Sequence, residues 1–130
     1  MNRKYLDDIH IEQRPDKYKL SKAKEKEFLE ERLIYGFDER EIWNMDLSWR
    51  LWLYEHLKMF MDKCTVDLSY HKIKYNDVEY TQKELIDMLL ERLIFSFEKN
   101  YSELTEEQCA YIDEIELIWA KLLHYMWTQD

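Results

Sequence analysis

Glycine and proline are almost missing. The chain has one of each in 130 residues, Gly36 and Pro15, against average usages of roughly 7% and 5%. A sheet-rich fold with many tight turns needs those residues, so their scarcity points to a mainly α chain built from a few long helices. Cysteine is also scarce: Cys64 and Cys109 form neither a Cys-x-x-Cys pair nor a disulfide framework, which reads as free thiols in a reducing compartment. No uncharged apolar run approaches the ~20 residues that span a bilayer, and no basic and apolar leader is present, so the expected location is the cytoplasm. Positive charge is the minority: 19 Lys and Arg against 28 Asp and Glu give a net charge of -9. Nonspecific attraction to nucleic acid or an anionic membrane surface is thereby disfavoured.

Site chemistry is missing as well. A single glycine excludes a Gly-rich phosphate loop, and no serine sits between glycines as a nucleophile elbow requires. The four histidines, His10, His56, His71 and His124, include no Glu-x-x-His, so the helical di-iron ligand pattern is absent. Adjacent carboxylates occur at Glu30-Glu31, Glu106-Glu107 and Asp113-Glu114, on polar faces or first turns where they complement the helix dipole or keep the surface soluble. The expectation is a non-enzyme with no cofactor and no metal.

Most notable among what is there is the stretch from Ile42 to Met61, with three of the five tryptophans. On a helical wheel Trp43, Leu47, Tyr54, Leu57 and Met61 share one face. Ile42, Met45, Trp49, Trp52, Leu53, His56 and Phe60 continue it, leaving a polar wedge of Asn44, Ser48, Glu55, Lys58 and Asp62 with Leu51 among them. An apolar arc of roughly 200° is expected of a central helix with neighbours on more than one side. Asp46 and Arg50 project into that arc one turn apart. A charge there has to be paired or near water, so the two read either as a structural pair, with Asp46 accepting from Arg50 or from Arg32 or Arg92 on neighbouring helices, or as a polar anchor in a recognition groove.

In chain order, residues 1–20 form an N-terminal arm that either lies along the body or makes a short strand at Ile9-His10-Ile11. Residues 21–130 then form a single helical domain, a compact bundle of about four helices. The first helix starts at an N-cap Ser21, carries Phe28, Leu29, Leu33 and Ile34, and closes at Gly36. Asp38 and Glu41 resemble a capping box opening the tryptophan helix. Val66, Leu68 and Tyr70 alternate, as do Ile73, Tyr75, Val78 and Tyr80 around Asn76-Asp77, giving either a short hairpin or an ordered loop before the third helix. Thr81 with Glu84 caps that third helix, and Thr105 with Gln108 caps a fourth that is expected to reach Trp127. Residues 31–38 recur loosely as 91–98, through a duplicated helical hairpin or through the limited vocabulary of helix formers.

Two surfaces are candidates for binding a partner. Glu106, Glu107, Asp113, Glu114 and Glu116 belong to an acidic run, seven acids and one Lys from Glu98 to Ile118. It is either a solvated face or an imitation of a nucleic-acid backbone that docks on a basic channel. Met88 and Phe95 lie on the back of the third helix, where they either touch the arm or a loop or belong to an exposed patch.

From Gly36 to Asp46, again at Leu57-Lys58-Met59-Phe60, then at residues 90–98 and at Leu122 to Trp127, the chain resembles small uncharacterised helical proteins encoded by phages and prophages of Gram-positive bacteria. Their pattern runs Gly-Phe, an acidic or Arg-containing stretch, Trp-x-Leu-Asp and a Leu-Lys-x-Phe-like ending. Met45 departs from their usual Leu, and a Pro expected near Glu55 is missing. The resemblance implies a phage accessory protein acting inside an infected bacterium. The leading expectation is then a protein that binds a host or anti-phage defence protein, an anti-CRISPR-like inhibitor being one form, with no direct contact to nucleic acid or membrane, as its net charge of -9 suggests. The second expectation is a structural or assembly protein working as a homodimer or larger homo-oligomer.

Overall fold

The structure is a computed structural model that describes residues 3–11, 14–99 and 101–127, with nothing to be said of the Tyr101 side chain. Five α-helices and one β-hairpin follow in order. They are α1 (Lys22–Tyr35), α2 (Arg40–Trp43), α3 (Met45–Lys63), β1 (Lys72–Tyr75), β2 (Val78–Thr81), α4 (Gln82–Glu98) and α5 (Glu106–Leu122). Short 3₁₀ turns occupy Pro15–Lys17, Tyr101–Glu103 and Leu123–Tyr125.

The helix boundaries follow local chemistry. Ser21 accepts from the Lys24 amide to start α1, and Gly36 takes the left-handed φ of 87° that ends it. Thr81 with Glu84 and Thr105 with Gln108 form complete capping boxes at α4 and α5. The tryptophan helix, in contrast, is not continuous from Asp38. Asn44 turns out to extended φ and ψ of -146° and 90°, and its side chain accepts from the Leu47 amide to restart the helix as α3. Asparagine competes with the helix by bonding backbone in just this way. The break makes five helices rather than four and puts the hairpin between the third and fourth.

That hairpin is antiparallel, with Ile73 opposite Tyr80 and Tyr75 opposite Val78. Asn76 and Asp77 both take positive φ, 51° and 62°, as the type I′ turn that suits a twisted two-residue hairpin requires. No strand forms at 66–70 or 9–11. The strand at 72–75 instead turns Ile73 and Tyr75 inward, each 5% exposed.

The core is shared by α3, α4 and α5. It holds Leu51, Leu53, Tyr54 and Leu57 from α3, and Leu85, Ile86, Leu89, Leu93 and Phe97 from α4. Ile112, Ile115, Ile118 and Leu122 complete it from α5. At about 1.5–3 kcal/mol for each fully buried aliphatic, this layer dominates stability. Leu6 from the arm is fully buried in the same cluster, so the arm is part of the packed body. Two expectations are corrected here. Leu51, assigned to the polar wedge, is 2% exposed, whereas Trp52, assigned to the apolar arc, is 46% exposed: with the break at Asn44 the buried face of α3 centres on Leu47, Leu51 and Tyr54. The last helix stops at Leu122 and finishes in a 3₁₀ turn before Trp127. Among the described residues, no helix is long and apolar enough to cross a membrane.

The recurring segment 31–38 and 91–98 lands in unlike places. Leu33 and Phe37 are exposed at and just after the end of α1, whereas their counterparts Leu93 and Phe97 are buried inside α4. Gly36 closes one helix, and its counterpart Ser96 sits inside another, donating to the Leu93 carbonyl at 2.7 Å.

Candidate functional site

The most unusual surface lies on α1, α2 and the turn between them. Of the apolar residues of α1, only Phe28 is buried. It packs edge-on against Trp43 at 5.9 Å, with the Arg40 guanidinium over its ring at 5.3 Å. Leu29, Leu33 and Ile34 lie roughly 100–140° round the helix from Phe28, so a body that buries Phe28 leaves them outside. Leu33 is 78% exposed and Ile34 72%. Tyr35 and Phe37, 6.3 Å apart, flank Gly36, and Ile42 and Trp43 of α2 and Met45 at the start of α3 are exposed as well. So many large apolar side chains together exceed what scattered surface hydrophobics account for. Composition did not reveal this face; angular position relative to Phe28 carries the signal.

Behind it lies a cleft of about 470 Å³ between the arm, the α1–α2 turn and α3. Its charges answer one another. Asp38, 5% exposed, accepts from Arg32 at 2.8 Å, from Arg40 at 2.7 and 3.0 Å and from the Arg40 amide at 2.9 Å. Burial pushes its carboxyl up, but the Arg40 bonds, aided by Arg32, outweigh that and hold it below the usual carboxylate value. Arg3 pairs with Glu55 and lies 3.9 Å from Asp16, while Arg14 grips Asp16 at 2.7 and 3.0 Å. Desolvation raises the Glu41 carboxyl. His56 stacks on Trp52 at 4.0 Å, its Nδ1 2.7 Å from the Trp52 carbonyl oxygen, which requires the proton on Nδ1. Arg3 fastens the arm to α3, and Arg32 and Arg40 close the α1–α2 turn on Asp38.

Asp46 and Arg50 meet in a two-bond contact of 3.0 and 3.1 Å. Arg50 is buried and gives a third bond to Ser96 at 2.8 Å, tying α3 to α4, while the Asp46 side chain is 57% exposed. Arg32 and Arg92 take no part: Arg32 goes to Asp38 and Arg92 to Glu114.

The five acids of α5 do not act as one surface. Glu114 faces inward, accepting from the buried Tyr75 hydroxyl at 2.6 Å and from Arg92 at 3.2 Å. Glu106 and Glu107 lie in the first turn of the helix. Asp113 and Glu116 are exposed; desolvation raises the Glu116 carboxyl, with Asp113 and Asp46 adding to the effect. Met88 and Phe95 pack half-buried against the core, Phe95 edge-on to Tyr111 at 5.2 Å. They meet α5, a neighbour that the position of either residue on its own helix does not disclose.

Among the described residues, no group of three or more His, Cys, Asp or Glu is arranged to hold a metal ion. Cys64 and Cys109 are not joined in a disulfide. No family model, curated protein or solved structure matches the chain. Function therefore has to be argued from the surface itself.

Proposed function

We propose that the chain works by binding another protein through the outward face of α1 and α2. The observation that carries this is the exposure of Leu29, Leu33, Ile34, Phe37, Ile42, Trp43 and Met45, beside a turn closed by the Arg32 and Arg40 pairs to Asp38. Aromatic and aliphatic anchors of this kind supply most of the energy in protein interfaces. The partner in this reading is a host or defence protein that handles nucleic acid, in keeping with the resemblance to phage and prophage proteins and with the acids of α5. An anti-CRISPR-like inhibitor is one such form, with Glu106, Glu107, Asp113 and Glu116 guiding encounter.

A homo-oligomer is the second reading, favoured by the charge order along α1. Lys22 and Lys26 lie in its first half and Glu30 and Glu31 in its second, so an antiparallel pair of copies sets Lys26 of each opposite Glu30 of the other. Parallel pairing would oppose like charges. Affinity capture from infected cells, run beside light scattering, separates the two. The Leu33→Glu/Ile34→Glu variant changes only well-exposed positions and is expected to keep its fold within about 0.5 kcal/mol. Loss of one stoichiometric host partner in the variant supports the first reading, and conversion of a dimer to a monomer supports the second. A wild-type monomer whose captured proteins are unchanged in the variant refutes both.

A further inference from the structure

On the opposite side of the chain's order, a cavity of about 250 Å³ opens where the loop after α3, the start of α4 and the C-terminal 3₁₀ turn meet. Four π-systems line it: Tyr70, His71, Tyr125 and Trp127. His71 joins the two tyrosines by ring contacts. His71 meets Tyr70 at 5.2 Å and 84°, and Tyr125 at 5.1 Å and 57°. Tyr70 and Trp127, 77% and 56% exposed, make an open rim, while Tyr125 is half-buried and Gln82 buried. An acid completes the lining, Asp67. The Ser69 hydroxyl at 2.6 Å and the Ser69 amide at 2.9 Å both donate to its Oδ1, and these bonds hold the carboxyl below its usual value, so it is ionised near neutrality.

The walls are fixed in advance. Gln82 donates to the Tyr125 carbonyl at 2.8 Å, fastening the C-terminal turn to α4, and the Lys83 amide donates to the Leu68 carbonyl at 3.1 Å, fastening the loop. Among the described residues that line the cavity there is no Lys or Arg. The volume is below the range of roughly 300–1,000 Å³ typical of drug-sized ligands and suits a single headgroup. Aromatic faces with an adjacent carboxylate attract a cation that is weakly hydrated, because the ring quadrupoles act on it without having to strip a tight water shell.

We propose that this cavity binds an alkylated ammonium group, with Tyr70, Tyr125 and Trp127 as the rings against which it rests and Asp67 as its counter-charge. The geometry provides one cationic pocket apart from the α1–α2 face. Free choline and the side chain of trimethyllysine both present such a group.

The full chain is titrated by isothermal calorimetry with choline, with a short trimethyllysine peptide, and with 3,3-dimethylbutan-1-ol, which has the shape of choline and no charge. Saturable binding of one cation with a Kd on the order of 1 mM is expected, as suits a few cation–π contacts, the tighter of the two cations identifying the source. The neutral analogue is expected to bind at least about fivefold more weakly. Trp127→Leu and Asp67→Asn change exposed side chains and are each expected to weaken the cation about three- to tenfold with an unchanged melting temperature. Equal affinity for the neutral analogue, undiminished binding in both variants, or no saturation by either cation at tens of Kd as expected above overturns the proposal.

Discussion

Removing the Asp46 carboxylate leaves a buried guanidinium with two of its bonds gone. Breaking a fully buried pair costs about 3–5 kcal/mol, and breaking an exposed one about 0.2–1 kcal/mol. Here Arg50 is buried but Asp46 is 57% exposed, so water reaches the vacated position and restores part of the loss. Asp46→Ala is therefore expected to cost about 1–2 kcal/mol, a fall in Tm of about 4–8 °C for a chain of this size. Arg50→Met keeps an apolar stem beside Phe97, over whose ring the guanidinium lies at 5.7 Å. It leaves Ser96 its bond to the Leu93 carbonyl at 2.7 Å and leaves Asp46 facing water, so its cost is about 1 kcal/mol. With the cation gone, Asp46 has nothing to hold, and the double variant is expected to match Arg50→Met alone. Urea unfolding of all four proteins measures the coupling, expected at about 1–2 kcal/mol. Single costs that add to within about 0.5 kcal/mol, or an Asp46→Ala protein with an unchanged Tm, would refute the reasoning.

Burial, then the bond to Glu114, push the Tyr75 hydroxyl from 10.0 up to about 12. The folded state favours the neutral phenol, so this contribution is complete below pH 10 and is lost as pH rises from 10 to 12. Thermal melts across that window should fall less steeply in Tyr75→Phe than in the wild type. Asp38 has the opposite sign: its folded value is depressed, so its contribution is present above 3.8 and is lost as pH falls below it. Asp38→Asn should lower stability at pH 7 and flatten its acid limb, read by urea midpoints between pH 2 and 7. At Gly36 an added Cβ would meet no atom within 4 Å, so Gly36→Ala measures backbone strain alone, about 1 kcal/mol, and Gly36→Asn should cost less. Asp77→Gly relieves one of the two positive-φ residues of the hairpin turn and should raise stability by about 0.5 kcal/mol in urea unfolding.

Local signals carried much of the architecture. Ser21, Gly36, Thr81, Glu84, Thr105 and Gln108 mark helix ends through bonds to their own backbone neighbours, and such bonds need no knowledge of the rest of the chain. Asn76-Asp77 marked a two-residue turn but left a hairpin and an ordered loop open, and the positive φ of both residues belongs to the hairpin. The break at Asn44 was hidden because asparagine in an apolar helical pattern reads as one polar position on the wheel, and only its φ and ψ reveal a cap. The outward face of α1 was hidden because amphipathic patterning states which residues are apolar, not which of two apolar sectors the body will cover. Glu114 looked like one more surface acid. Its partners Tyr75 and Arg92 are 39 and 22 residues away, and pairing at that separation is written in the tertiary arrangement.

The single buried side chain of α1 also sets how that helix moves. Global unfolding of a domain costs about 5–15 kcal/mol, but releasing α1 exposes Phe28 at about 3 kcal/mol and parts Arg32 from Asp38. The α3–α4–α5 core stays intact throughout. At that cost α1 leaves the body roughly once in every few hundred molecules, a partial opening that native-state hydrogen exchange registers as faster-exchanging amides over residues 25–35 than over α4. A segment that detaches this cheaply can reach for a partner before it settles, while Arg40 keeps its bonds to Asp38 at the base of α2.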